Sequence, residues 1–301
     1  MKIHAFRLTK GMDLKKIYRR LNFKENIMLK IKTERKGAEL VSVIKDGVEK
    51  IHDGVKDWNR HAPILFPIVG KVKDGKTIID GKECFLGQHG FARDMAFEEI
   101  GKNSYVLKWN KETIEKYPYK FEFYVSYEVH GNKLITTFRV KNVDDKDIYF
   151  GLGGHPAFQC DYSSGQYRIE FEDVEDEIEF YNLKDGLVVP EKLNKKKFMR
   201  ENRIFLEKDT FKNDAIILRN IKSKSLFLKT ETKSILKFTF DGFKYLGIWS
   251  KIDADFICIE PWHNTADKVD SDGVLEHKED VIKVEVGKEF TSSYIVEFYE
   301  L

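Results

Sequence analysis

The stretch Tyr119–Gly131, "YKFEFYVSYEVHG", decides the fold class. Tyr119, Phe121, Phe123, Val125, Tyr127 and Val129 occupy alternate positions and point one way. Lys120, Glu122, Ser126 and Glu128 point the other, and Tyr124 is the exception. Alternation over that length describes a strand with one face buried and one face wet. His130–Lys133, "HGNK", reads as a hairpin turn because Gly and Asn tolerate positive φ, and Leu134–Val140 then returns antiparallel.

The same signal recurs at Gln166–Phe171, Ala215–Arg219, Ile235–Phe240, Tyr245–Trp249, Phe256–Ile259 and Tyr294–Phe298. Turn signals such as "KDGK" and "IDGK" separate the early strands. Helical patterns are nearly absent. Glu191–Arg200, "EKLNKKKFMR", is one candidate. Asp13–Leu21, "DLKKIYRRL", is another: Leu14, Ile17, Tyr18 and Leu21 share a helical face, as in a short docking helix or a basic arm. Many strands joined by short turns, without alternating helices, describe an all-β antiparallel sandwich. With no Pro/Ser-rich linker and no repeat, residues 26–301 read as a single domain behind an N-terminal extension, residues 1–25, of unassigned role.

Composition narrows the function. Lys plus Arg number 52 and Asp plus Glu 50, so the net charge is +2 and no basic field is available to hold nucleic acid. The 23 Phe and 13 Tyr favour strands. Cys84, Cys160 and Cys258 are odd in number and widely spaced, so neither a disulfide framework nor a zinc motif is written here; a reducing cytoplasm is the expected setting. The N-terminus is interrupted by charge, and no run approaches the ~18 apolar residues of a membrane span.

Four stretches place polar groups among small or rigid residues at strand edges: "WNRHAPILFPIVG" (58–70), "GQHGFARD" (87–94), "GLGGHPAF" (151–158) and "CIEPWHNTAD" (258–267). In the third, His155 stands between a glycine pair and a proline, either as a working acid or base or as a loop histidine. In the fourth, Glu260 ends an apolar strand. A carboxylate there is costly unless paired, hydrogen-bonded or protonated. Beside it, Trp262 offers an indole face on which a sugar can stack, and His263 reads as a rim residue. Arg93 has Asp94 or Glu98 as internal partners within reach. Dinucleotide, serine-hydrolase and compact metal motifs are missing. A glycosidase using Glu260 with Asp214 or Asp267 stays open.

Together and in this order, the four stretches resemble the galactose mutarotase-like superfamily, the aldose 1-epimerases, nearest to the branch of LacX-like proteins and hexose-6-phosphate mutarotases. The resemblance runs from about residue 26 to the end. It implies a large antiparallel supersandwich with a sugar in a cleft over the concave sheet. It implies that His155 is the catalytic acid and Glu260 the base, and that Arg60, Gln88 and Arg93 position the substrate, with His89 in the same wall of the cleft. Asp214, in "NDAIIL", resembles the aspartate that holds sugar hydroxyls. The implied activity is interconversion of the α and β anomers of a hexose or hexose phosphate, an imidazolium giving a proton and a carboxylate taking one. It needs no metal and no other cofactor, and the partner is a small sugar or sugar phosphate. The glycine pair would let the loop approach the sugar, and Pro156 would aim the imidazole. The alternative is a non-catalytic carbohydrate-binding or regulatory protein on the same fold.

Overall fold

The structure, a computed structural model, describes residues 29–299. The expected Asp13–Leu21 helix and the extension that contains it lie outside these residues.

Phe121–His130 and Lys133–Asn142 form the hairpin at the centre of a nine-stranded antiparallel sheet. Gly131 takes the positive φ that the two-residue turn requires. Asn132 donates from Nδ2 to the Phe298 carbonyl at 3.1 Å, tying the turn to the neighbouring strand Glu289–Phe298. The alternation read from sequence is the burial pattern: Phe121, Phe123, Val125 and Tyr127 are buried. Tyr124 faces outward, where the cross-strand Arg139 covers its ring at 3.8 Å. That cation–π cover explains an aromatic residue on the wet face.

A second antiparallel sheet of eight strands includes Ile216–Arg219, Tyr245–Trp249 and Phe256–Trp262, in that spatial order. The two large sheets share one apolar core. Phe123, Phe138, Phe238 and Val296 from the first meet Leu218, Leu246, Ile248, Ile257 and Ile259 from the second. Phe158 bridges them, with ring centroids 6.0 Å from Phe238 and 6.2 Å from Phe298.

Period-two geometry then fixes the other face of the second sheet. Ile257 and Ile259 enter the shared core, so Cys258, Glu260 and Trp262 point away from it. Leu246 and Ile248 enter the core, so Tyr245, Gly247 and Trp249 share that opposite face. Phe256–Trp262 is buried at every position. It therefore reads as a continuous apolar run, the pattern of a strand covered on both sides.

The expected helix at Glu191–Arg200 is absent. Leu187–Lys192 is a strand and Lys195–Lys197 a single 3-10 turn. Strand pairing with Glu179–Lys184 overrides the lysine-rich helical propensity. Among the described residues the one α-helix is Lys111–Lys116, whose Asn110 and Thr113 form a reciprocal capping box. No helix of the described residues is long and apolar enough to cross a membrane.

Phe123 stacks on Phe66 at 4.7 Å and also meets Phe97 and Phe138. Phe123→Ala is expected to lower the unfolding free energy by about 3–5 kcal/mol, whereas Tyr124→Ala, on the outward face of the same strand, costs about 1 kcal/mol. Urea unfolding of the two variants checks this; equal losses would contradict the assigned faces.

Candidate active site

A cleft of about 420 Å³ opens on the coreless face of the eight-stranded sheet. Its lining includes all eight residues singled out from sequence: Arg60, Gln88, His89, Arg93, His155, Asp214, Glu260 and Trp262. They come from five separate segments, brought together by the sheet order.

Glu260 forms the floor. It sits on the buried strand Phe256–Trp262, opposite Gly247. His155 arrives on the neighbouring segment, its amide donating to the Pro63 carbonyl at 3.0 Å. The imidazole Nε2 lies 3.1 Å from Glu260 Oε2, with 7% and 2% of the two side chains exposed. Trp58 covers the imidazole at 4.9 Å and Trp249 meets it edge-on at 5.8 Å. Burial disfavours both charges. It pushes His155 down to about 3, assisted by the nearby Arg93 and Arg60. It pushes Glu260 well above the carboxylate range, assisted by the Asp214 charge and opposed by the Trp262 indole N–H. Both shifts therefore run toward imidazole and carboxylic acid, the reverse of the imidazolium and carboxylate expected from sequence, because burial disfavours each charged form. Glu260 Oε2 and Trp262 Nε1 are buried with no hydrogen-bond partner of normal geometry.

His89 forms one wall, its ring perpendicular to that of His155 at 5.4 Å. "QHGF" folds as a left-handed corner: His89 has φ 66° and Gly90 φ 73°. Only glycine fits at 90, where a Cβ would stand 2.3 Å from the Phe66 carbonyl oxygen. The Gly70 amide donates to His89 Nδ1 at 3.0 Å. Burial holds His89 well below the usual histidine range, with His155 and Arg93 adding to the effect. The ring is thus neutral and carries its proton on Nε2, which faces the Gln88 amide at 3.4 Å.

The two arginines have internal partners. Arg93 donates from Nη2 to the Gln88 carbonyl at 2.6 Å and approaches Asp94 at 3.8 Å. Arg60 donates to Asp94 at 2.9 Å. Burial first, then Arg60, lowers Arg93 to about 10. Glu98, the other anticipated partner, pairs with Lys108 instead.

Three expectations change. Trp262 is only 3% exposed, and its ring is covered by Gly247 and Gly153, where a Cβ would stand 2.5 and 2.7 Å from indole carbons. It lines the cleft by an edge, not as an open face. The glycines of "GLGG" make their close approaches to protein: Gly151 to Asn264, Gly153 to Trp262 and Gly154 to Tyr294. Asp267 is committed to a buried pair with Lys278 and accepts the Lys73 amide, and it is not part of the cleft lining.

The aldose 1-epimerase family matches residues 20–279. The chain belongs to that family. Within it, the chain is 34% identical over 281 residues to the plasmid-encoded Protein LacX of Lactococcus lactis subsp. lactis, covering 86% of this chain and 93% of LacX. The chromosomal LacX of the same organism is 33% identical. A galactose mutarotase related enzyme from Lactobacillus acidophilus superimposes with a TM-score of 0.82 at 32% identity, over 91% of this chain and 96% of that one. A galactose mutarotase-like protein from Lactobacillus casei superimposes at 0.81 and 28%, over 91% and 98%. The all-β sandwich is thus a galactose mutarotase-like fold in the LacX branch of the aldose 1-epimerases.

Sequence reasoning missed Trp58, Trp249, Leu183 and Thr265 in the cleft of this aldose 1-epimerase family member. Trp58 adjoins the "NRHAP" motif and was the accessible signal. Thr265 lies inside the fourth motif, and Leu183 is marked by no motif.

His263, next to Trp262, points to the opposite face. It stacks on Phe243 at 4.3 Å, contacts Ser292 Oγ at 2.8 Å, and burial lowers it to about 4. The unfolded chain binds a proton at this histidine below about pH 6.5, whereas the folded chain does so only near 4. Its contribution to stability is present above pH 6.5 and is lost as pH falls from 6.5 towards 4. His263→Gln should therefore flatten the fall in unfolding free energy across that window by up to about 1.4 kcal/mol per pH unit. An unchanged slope in pH-resolved urea unfolding would assign the acid sensitivity elsewhere.

Proposed function

We propose that the protein is an aldose 1-epimerase in activity as well as in family, interconverting the α and β anomers of a hexose. The observation that carries this reading is the 3.1 Å contact between His155 Nε2 and Glu260 Oε2 on the cleft floor. The pair sets two titratable groups side by side whose pKa values burial moves in opposite directions, the arrangement that serves acid and base together.

The two oxygens of a hemiacetal, the C1 hydroxyl and the ring oxygen, are about 2.3 Å apart. Laid over a pair at this separation, each oxygen lies within hydrogen-bond reach of one partner. Glu260 faces the C1 hydroxyl and His155 the ring oxygen. When the sugar binds, its C1 hydroxyl donates to the Glu260 carboxylate and its ring oxygen accepts from the imidazolium, which offsets the desolvation of both charges, and the carboxyl proton passes to the imidazole. Glu260 then takes the C1 hydroxyl proton while His155 gives its proton to the ring oxygen, and the C1–O5 bond opens to the aldehyde. Rotation about C1–C2 presents the other carbonyl face. Closure runs the two transfers in reverse, so the pair ends as it began. Asp214, at the cleft edge, accepts from sugar hydroxyls. Trp58 and Trp249, the half-buried indoles of the lining, offer the apolar faces on which the sugar ring packs.

In this reading Arg93 is a brace. Its bond to the Gln88 carbonyl holds the left-handed corner that carries His89. Asp94 offsets part of the charge of both arginines.

Glu260→Gln keeps the shape of the floor and removes the base. Mutarotation followed by polarimetry should fall about 10²–10⁴-fold while sugar binding by calorimetry persists. Wild-type protein that binds glucose or galactose without accelerating their mutarotation would favour the carbohydrate-binding alternative. Arg93→Ala should lower the melting temperature and reduce turnover of glucose and glucose 6-phosphate by the same factor. A loss confined to the phosphorylated sugar would instead make Arg93 a phosphate ligand.

A further inference from the structure

We propose that His155, Cys258 and Glu260 form a binding site for a thiophilic divalent cation of the Zn²⁺ class, which occupies the cleft floor and blocks it. One ligand atom of each residue lies within 4.8 Å of the others, and all three residues are buried. Among the described residues no other group of three meets that condition.

Strand parity builds the cluster. Cys258 and Glu260 are two residues apart on Phe256–Trp262 and project from the same face, away from the shared core. Ala157, two residues after His155, pairs with Cys258 across the adjoining strand. An imidazole, a thiol and a carboxyl are thereby brought within 4.8 Å of one another from one strand and the segment beside it. Tetrahedral zinc with sulfur, nitrogen and oxygen ligands needs ligand atoms roughly 3.3–3.8 Å apart, so closure of about an ångström completes the three-ligand set. His155 and Glu260 are already 3.1 Å apart. An independent sign of an unfilled site is Glu260 Oε2, buried with no hydrogen-bond partner while aimed at the imidazole.

The donor set selects the ion. A thiolate with an imidazole favours Zn²⁺, Cd²⁺ or Co²⁺ over Mg²⁺ and Ca²⁺. Binding forms three metal–ligand bonds, and the Cys258 thiol and the Glu260 carboxyl each release a proton to solvent. The charge of the cation is then cancelled by one thiolate and one carboxylate, so the filled site is neutral, as a buried position demands. A water from the cleft completes four-coordination. Cys84 and Cys160 are buried without such partners among the described residues, so the property is specific to Cys258.

Two ligands belong to the proposed acid–base pair, and inhibition of mutarotation rests on that reading. Direct metal binding does not. The first experiment titrates the full chain with Co²⁺ and follows the near-ultraviolet absorption of thiolate-to-cobalt charge transfer. The expected result is a band that saturates at one equivalent, disappears in Cys258→Ser and survives in Cys84→Ser. Zn²⁺ should displace the Co²⁺. In calorimetry, Cys258→Ser and Glu260→Gln should each weaken Zn²⁺ binding at least about tenfold. Glu260→Gln provides the same answer should Cys258→Ser fold poorly. No charge-transfer band in the wild type, a band that persists in Cys258→Ser, or equal Zn²⁺ affinities in wild type and Glu260→Gln would each overturn the site. If the band forms and the protein does not catalyse mutarotation, the metal site stands and the enzymatic reading falls.

Discussion

Strand Phe256–Trp262 has no solvent face, and the burial of its carboxyl group is the constraint on which the rest of the site depends. One side of the strand must feed the core between the sheets, which Ile257 and Ile259 do. The other side then receives Cys258, Glu260 and Trp262 whether or not water can reach them. A carboxyl group held there is driven toward its neutral form, and the structure sets an imidazole 3.1 Å from it and an indole N–H beside it. The aromatic cover over His155 follows from the same need to keep the pair dry. Trp58 and Trp249 remove the water that would otherwise let each group titrate at its ordinary pKa.

The fold was legible wherever one face of a strand is wet. Phe121–Asn142 shows its period in the sequence because Lys120, Glu122 and Glu128 are free to be polar. Tyr245–Trp249, read from sequence as a further strand, has the same bounds in the structure although both of its faces are covered. The errors lie where local propensity and tertiary pairing disagree. Glu191–Arg200 has helix-forming lysines, yet its first residues are claimed by a sheet edge. Lys111–Lys116 is too short to show a period, and its one signal was the spacing of Asn110 and Thr113.

The site was legible for a different reason. Nothing in spacing unites Arg60, His89, His155, Asp214 and Glu260, which span some two hundred residues; the resemblance of four motifs grouped them, and the sheet order now brings them to one cleft. What remained invisible was direction. Sequence could not tell that Trp262 lies beneath Gly247 and Gly153, nor that the glycines of "GLGG" serve protein packing. It also could not tell that Asp94 would divide itself between two arginines. These depend on which side of a strand faces a neighbour, and that parity is set by partners far away in the chain.

The contact between the Gly70 amide and His89 Nδ1 gives the cleft mouth a polarity. A backbone N–H cannot reverse its role, so the ring must accept at one nitrogen and donate at the other. That leaves Nε2 as the donor of the ring, 3.4 Å from the Gln88 side-chain nitrogen in the same cleft lining. The tautomer of a cleft-wall histidine is thereby set by the main chain, and it persists through any substitution that leaves a histidine at 89 and the Gly70 amide in place.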